Sequence, residues 1–188
     1  MNNKVVIISA PSGAGKTTLV KHLLKQFPQL EFSISACSRP QRQNEINGID
    51  YYFISVEEFQ KKIKENQFIE WEEVYPNRYY GTLKTEIERI WKKKHIVLFD
   101  VDVKGGINLK KIFHKQAISI FIAPPSIEIL KYRLEKRGTE NSENIKIRVE
   151  KAKYEMTFAK QFDYIIVNDN LNEAKENIST LIKNYINQ

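Results

Sequence analysis

The feature that most constrains this chain is the order of its first three elements. Val5 to Ser9 is a short β-branched run closed by a proline and glycine cluster, and a helical pattern follows from Lys16 to Phe27. The chain therefore opens strand, loop, helix. The loop reads Ala10-Pro-Ser-Gly-Ala-Gly-Lys-Thr17. Glycines at 13 and 15 let backbone N–H groups converge at a helix N-terminus, where the dipole also favours negative charge. The spacing matches G-x-x-x-x-G-K-[ST], with Ala10 at the first glycine position. Pro11, Ser12, Gly13, Ala14, Gly15, Lys16, Thr17 and Thr18 are thus candidates for cradling nucleotide phosphates. Lys16 is placed to reach the β- and γ-phosphates, and the Thr17 hydroxyl to hold Mg²⁺.

The pattern continues in kind. Ile96 to Phe99, Ile118 to Ile122 and Tyr164 to Val167 read as buried strands, alternating with helical stretches at Val103 to Phe113, Ile127 to Lys136 and Leu171 to Tyr185. Such alternation predicts an α/β fold: a parallel sheet with helices on both faces. Two stretches break it. Residues 33–84 hold short strand-like pieces at Tyr51 to Ile54 and Ile69 to Val74 around one helix, which Ser55 to Glu58 open as a capping box. Residues 126–160 are helical and charged, interrupted at Gly138 to Glu143. The expected organisation is one domain of 188 residues: a core of 1–32, 85–125 and 161–188, an inserted lobe of 33–84 and a helical lid of 126–160.

No apolar run approaches the ~18 residues of a membrane-spanning helix, and the Lys4 to Ala10 segment is too short for a signal peptide. The expectation is a soluble, cytoplasmic protein. Cys37 is the one cysteine, which leaves no intramolecular disulfide or cysteine-rich metal site. A net charge of +7 raises a nucleic-acid reading. However, 23 lysines against 7 arginines, with abundant Asn and Ile, reads as compositional bias and a solvated surface, so no nucleic-acid partner is expected. The arginines are more telling. Arg39, Arg42, Arg133, Arg137 and Arg148 fall in two short segments, where a planar fork that grips phosphate matters.

Several segments in register narrow the reading. Ser33-Ile-Ser-Ala-Cys-Ser-Arg-Pro-Gln-Arg-Gln-Asn-Glu45, then Gly48, Tyr51 and Phe53, then Phe68-Ile-Glu-Trp71 and Tyr79-Tyr-Gly-Thr82 resemble the guanylate kinase family in order and spacing. Phe99-Asp-Val-Asp-Val-Lys-Gly105, Ala123-Pro-Pro-Ser126, Arg133-Leu-Glu-Lys-Arg-Gly138 and Val167-Asn-Asp169 are similar to later segments of the same family. The likeness runs over the whole chain. It implies a P-loop NTPase fold, ATP and GMP as substrates, Mg²⁺ with ATP, and transfer of the γ-phosphoryl group to GMP; it leaves oligomeric state open. It departs at Cys37-Ser38, where two threonines are usual, at Asn44, where glycine is usual, and at Pro76 to Arg78, which carries one extra residue. Asn44 is expected to use the left-handed conformation that asparagine tolerates.

The resemblance implies that Arg39, Arg42, Tyr51 and Tyr80 hold the GMP phosphate and that Ser35, Glu70 and Thr82 read guanine. Residue chemistry agrees. Arginine gives bidentate, charge-assisted donors to phosphate, and one carboxylate can accept guanine's N1–H and exocyclic amine together. Asp100 ends a strand at the carboxyl edge of the sheet, facing the ligand crevice. There it orients the acceptor-side arginines or fixes the magnesium shell through water. Asp102, two residues on, is a second candidate on the acceptor side, or else caps the next helix. Arg133, Arg137 and Arg148 are the expected catalytic arginines of the lid, Asn168 is implied near the adenine of ATP, and Lys16, Arg39 and Asp100 complete the catalytic set. Two rivals share the fold: a kinase for another phosphorylated small molecule, and a non-catalytic peptide-binding module. Glu70, Tyr80 and Thr82 weigh against the first, Lys16 and Thr17 against the second.

Overall fold

The computed structural model describes residues 3–136 and 142–188. In chain order the elements are β1 (Val5–Ser9), α1 (Lys16–Gln26), β2 (Leu30–Phe32), β3 (Ala36–Cys37), β4 (Tyr52–Phe53), α2 (Val56–Lys64), β5 (Phe68–Tyr75), β6 (Arg78–Leu83), α3 (Lys84–Lys92), β7 (Ile96–Val101), α4 (Val103–Phe113), β8 (Ala117–Ala123), α5 (Ile127–Lys136), α6 (Ser142–Met156), β9 (Tyr164–Val167) and α7 (Leu171–Asn187). Short 3₁₀ turns lead into β8 and β9.

Five strands form a parallel sheet in the order β2-β7-β1-β8-β9, with Val5 opposite Val97 on one side and Ala117 on the other. A parallel sheet is covered on both faces, so its central strands read as unbroken apolar runs, and every residue of β1 and β8 is buried. Successive side chains of a strand point to opposite faces. Val6 and Ile8 accordingly join Leu19, Leu23, Ile178 and Ile182 from α1 and α7, while Val5 and Ile7 join Ile87, Ile90, Leu109 and Phe113 from the α3 and α4 side. At roughly 1.5–3 kcal/mol per fully buried large aliphatic side chain, these two layers hold the core. The parallel sheet with helices on both faces is the architecture expected from the alternation.

The chain leaves this sheet after β2 and returns through α3. Between them it builds a second sheet in the order β4-β3-β6-β5, parallel only between β3 and β4. Its small core stacks Phe59 on Phe68 and Tyr79, with ring centroids 4.3 and 5.4 Å apart. Ser55 caps α2 as expected, its hydroxyl accepting from Glu58 N at 3.1 Å. The extra residue near Pro76 is taken up locally: Pro76-Asn77 form the turn, Asn77 has φ 59°, and β5 bulges between Glu73 and Tyr75. Tyr80 still pairs with Cys37 and Glu72. Asn44 corrects an expectation, since it is not among the residues of positive φ.

Helices α5 and α6 pack through Leu130, Leu134, Ile145 and Val149 and sit over the glycine loop, where a Cβ at Gly13 would come within 3.1 Å of Leu134. The interruption expected at Gly138 to Glu143 falls mostly outside the described residues. Among the described residues no helix is long and apolar enough to cross a membrane.

Candidate active site

The glycine loop is built as its spacing demands. Gly13 and Gly15 have φ of 94° and 93°, a left-handed conformation that costs L-residues with a side chain dearly. Ala10 is buried and lacks a positive φ, so the first position of the motif needs no glycine here. Gly15 is the residue before α1, and a Cβ on it would meet Asn168 Nδ2 at 2.2 Å. That amide donates to Ala14 O at 2.7 Å. Asn168, implied near adenine, is buried and spends its amide N–H on bracing the loop. Ser12, Thr17 and Thr18 remain exposed on it.

The expected lid arginines separate. Arg133 donates to Asn168 O at 2.9 Å and, with Gly13, Gly15, Thr18 and Asn168, lines a cavity of about 340 Å³ beside the loop. Arg148 donates to Ser12 Oγ at 2.9 Å, on the loop itself. Arg137 lies outside the described residues.

On the other side of Lys16 is a narrower cleft of about 250 Å³ between the two sheets. Lys16 Nζ is ion-paired with Asp100, at the end of β7, and donates to Val101 O at 2.9 Å. Ser35, Tyr51, Glu70, Tyr80, Asp100 and Asp102 all line this cleft with Lys16. Asp102 is no continuation of the strand. Strand β7 ends at Val101, and Asp102 Oδ1 accepts from Gly105 N at 2.7 Å as the N-cap of α4, a bond that replaces an unmet helix N–H. Gly105 keeps this corner open, because a Cβ there would lie 3.2 Å from both Asp102 Oδ1 and Glu70 Oε2.

One end of the cleft is aromatic, lined by Tyr51 and Tyr80, with Arg39 packed against Tyr51 from outside the lining. Arg39 is buried, its guanidinium 5.1 Å from the Tyr51 ring centre and 5.4 Å from that of Phe53. Its two terminal nitrogens grip the two carboxylate oxygens of Glu45, both at 2.6 Å. That pairing pulls the Glu45 carboxyl down to about 2. Tyr51 and Tyr80 meet edge to face with centroids 6.0 Å apart. Arg39 and Arg42 both lie outside the cleft lining, Arg39 buried against Tyr51 and Arg42 exposed with its backbone N–H donating to Glu45 at 3.0 Å.

The other end is acidic. Glu70 and Thr82 are opposed in the β5–β6 ladder, and the buried Thr82 hydroxyl donates to Glu70 Oε1 at 2.9 Å. Thr82, expected to touch the base, thus spends its proton on orienting the carboxylate. Burial pushes the Glu70 carboxyl up to about 7, against the Thr82 bond and helped by the charge of Asp102. Glu72, two residues on along β5, lines an adjoining pocket with Asp102 rather than this cleft, and is also raised to about 7 by burial and by its contact with Asp102. Lys104 is 3.8 Å from it. Among the described residues no cation is ion-paired with Glu70, and its carboxylate accepts from Thr82 alone, so this end suits a ligand edge rich in N–H groups.

Sequence reasoning passed over Glu45, whose position six residues after Arg39 gave no periodic signal, and Glu86, described below.

A left-handed glycine loop on one sheet faces an arginine–tyrosine cluster and the half-buried carboxylate of Glu70 on a second, and these features define a P-loop enzyme of the nucleoside monophosphate kinase kind. The guanylate kinase family model matches residues 2–185. Guanylate kinases of Bacteroides thetaiotaomicron and Porphyromonas gingivalis are each 52% identical, the first over 188 residues (100% of this chain and 92% of that protein) and the second over 184 (97% and 98%). The crystal structure of guanylate kinase from Anaplasma phagocytophilum superposes with a TM-score of 0.77 at 29% identity, covering 96% of this chain and 85% of that one. The chain belongs to the guanylate kinase family.

Proposed function

We propose that this chain is a cytoplasmic ATP:GMP phosphotransferase of purine nucleotide metabolism, passing the γ-phosphoryl group of MgATP reversibly to GMP. One observation carries the reading: the loop lysine, Lys16, shares a single cleft with the tyrosines at the phosphate end and with Glu70 and Asp102 at the base end. A donor phosphate on the loop and an acceptor in the cleft then meet at Lys16.

Residues 33–84 act as the acceptor lobe and 126–160 as the lid over the core. Arg39, with Arg42, Tyr51 and Tyr80, receives the GMP phosphate. Arg39 enters this role already held in orientation by Glu45 and stacked on Tyr51. Ionised Glu70 accepts from guanine N1–H and the exocyclic amine, and Ser35 and Asp102 complete the base contacts. Adenine, with an acceptor at N1, leaves Glu70 unpaired. In-line transfer needs no protein nucleophile, only positioning and positive charge at the transferring group. Lys16 supplies that charge on leaving Asp100, and Arg133, Arg137 and Arg148 add theirs as the lid closes. Asp100, freed in turn, faces the acceptor-side cations.

Mg²⁺ fits the donor set on one condition. Thr17 offers an exposed hydroxyl oxygen at the loop mouth, and among the described residues no group of three or more His, Cys, Asp or Glu side chains forms a cage. The ion would then be held jointly by the Thr17 hydroxyl and phosphate oxygens of the bound nucleotide. When bound it neutralises charge on the β- and γ-phosphates. An ADP-release assay with GMP, AMP, UMP and dTMP as acceptors tests the reading; turnover with GMP far above the others is expected, and preference for any other acceptor overturns it.

A further inference from the structure

The second sheet is joined to the first by two chain crossings, residues 33–35 between β2 and β3, and helix α3, which follows β6 directly and leads to β7. Residues 33–35 and strand β4 of the second sheet converge on a single carboxylate carried by α3. Glu86 sits in the first turn of α3 and is 3% exposed. Its Oε1 accepts from Ile34 N at 2.9 Å and Arg89 Nη2 at 2.8 Å, and its Oε2 from Arg89 Nε at 2.9 Å and the Tyr52 hydroxyl at 3.2 Å. A circuit closes through the backbone, because Tyr52 N donates to Ser35 O at 2.9 Å. Arg89 continues the chain of contacts into the core, where it pairs with Glu31 of β2; Lys93 and His95 bond the same carboxylate at 2.9 and 2.7 Å.

Ser35 lies inside this circuit and Tyr51 precedes Tyr52, and both face the cleft. A buried carboxylate is costly unless fully bonded. Glu86 is fully bonded, and the bonds it uses are those that set how the second sheet leaves the first. A first-turn acid also suits the helix dipole, but that alone calls for neither burial nor the reach to Ile34 and Tyr52.

We propose that Glu86 is a positioning residue for the acceptor nucleotide, fixing both crossings so that Ser35 and Tyr51 present their side chains to GMP. The proposal rests on the acceptor reading given above. Glu86 touches no substrate and acts through Ile34 N and the Tyr52 hydroxyl. Its effect is therefore confined to the acceptor side.

Steady-state kinetics with GMP and ATP varied separately provide the test, on wild type, Glu86→Gln, Tyr52→Phe and the double variant. Glu86→Gln keeps one acceptor oxygen but turns an amide N–H toward Arg89. It should raise KM for GMP about tenfold, since small misplacements at a distance cost that much or more, and leave KM for ATP within about twofold. Tyr52→Phe removes one hydroxyl and keeps the ring, so KM for GMP should rise about threefold at a near-wild-type melting temperature. The double variant should show less than the product of the two effects, because they act through one network. The proposal is overturned if Glu86→Gln lowers only the melting temperature, if both Michaelis constants rise together, or if the two substitutions multiply independently. Should Glu86→Gln fail to fold, Tyr52→Phe decides alone: an unchanged KM for GMP refutes the role. A wild type that does not phosphorylate GMP would sink the acceptor reading instead, a distinct result.

Discussion

Replacing Glu70 by glutamine should make the protein more stable and the enzyme worse, and the structure says by how much. The Glu70 carboxyl has its ordinary value of 4.5 raised to about 7 by burial. Between those values the native state binds more protons than the unfolded chain, so stability falls as pH rises through the window, and the loss is complete above about pH 7. At 1.36 kcal/mol for each tenfold change the full cost is about 3 kcal/mol, most of which accrues between pH 5 and 8. Glutamine keeps the volume, does not titrate, and still offers Thr82 an amide oxygen. The stability of Glu70→Gln relative to wild type should therefore improve by about 2–3 kcal/mol from pH 5 to pH 8, or roughly 5–10 °C in melting temperature for a chain of this size. Paired urea or thermal melts at the two pH values read this directly. Kinetics should move the other way. One guanine N–H now faces a donor, a mismatch of about 1–3 kcal/mol, or about tenfold to over a hundredfold in kcat/KM for GMP, and the ratio of GMP to AMP efficiencies should shrink. Wild-type affinity for GMP should also rise about tenfold from pH 6 to 8 as Glu70 ionises, a component missing in the variant. The phosphate's own titration is common to both and cancels in their ratio. A stability difference flat in pH, with an unchanged GMP to AMP ratio, would refute the reasoning at both ends.

Three further outcomes follow from the donor side. Lys16→Ala should fold normally and lose turnover by about a hundredfold or more, the scale of removing one preorganised electrostatic donor; near-normal turnover in a folded variant overturns the loop assignment. Arg148→Ala, which gives up the contact to Ser12, should lower kcat much more than it raises KM for GMP, and a loss confined to KM would make Arg148 a ground-state binder. Chelation should abolish turnover and added Mg²⁺ restore it, while the thermal shift produced by ATP is smaller without the ion; equal shifts with and without Mg²⁺ count against joint binding at Thr17.

The parallel core was legible because its strands carry unbroken β-branched runs, such as Val5 to Ser9, set between helical periods. What escaped was short or depended on tertiary packing. Strand β2 has three residues, Leu30-Glu31-Phe32, too few for any period, and β3 has two. In the site, residue type announced Lys16, Arg39 and Glu70, but not how their hydrogen bonds are spent. Asn168 turned out to brace the loop and Thr82 to orient Glu70, while Asp102 took the second of its two expected places, as the cap of α4. No spacing rule states which partner a buried polar group finds. Asn44 needed no left-handed backbone, and the left-handed asparagine was Asn77 in the hairpin.

Glu86 and Glu70 show why such partners matter more than residue type. Both are glutamates at the junction of the two sheets, both are largely shielded from water, and desolvation raises the carboxyl of each. Glu86 has Arg89, Ile34 N and Tyr52 to oppose it, and its carboxyl ends below the ordinary value. Glu70 has one threonine hydroxyl and a neighbouring aspartate, and its carboxyl ends near neutrality. The first is satisfied within the fold and can serve as a fixed point; the second is left short of donors until something brings them. A protein under selection for stability alone gains by replacing the second and not the first. An unfilled acceptor at Glu70 is what a site selective for a donor-rich base requires, and its instability without ligand becomes affinity when two N–H groups arrive.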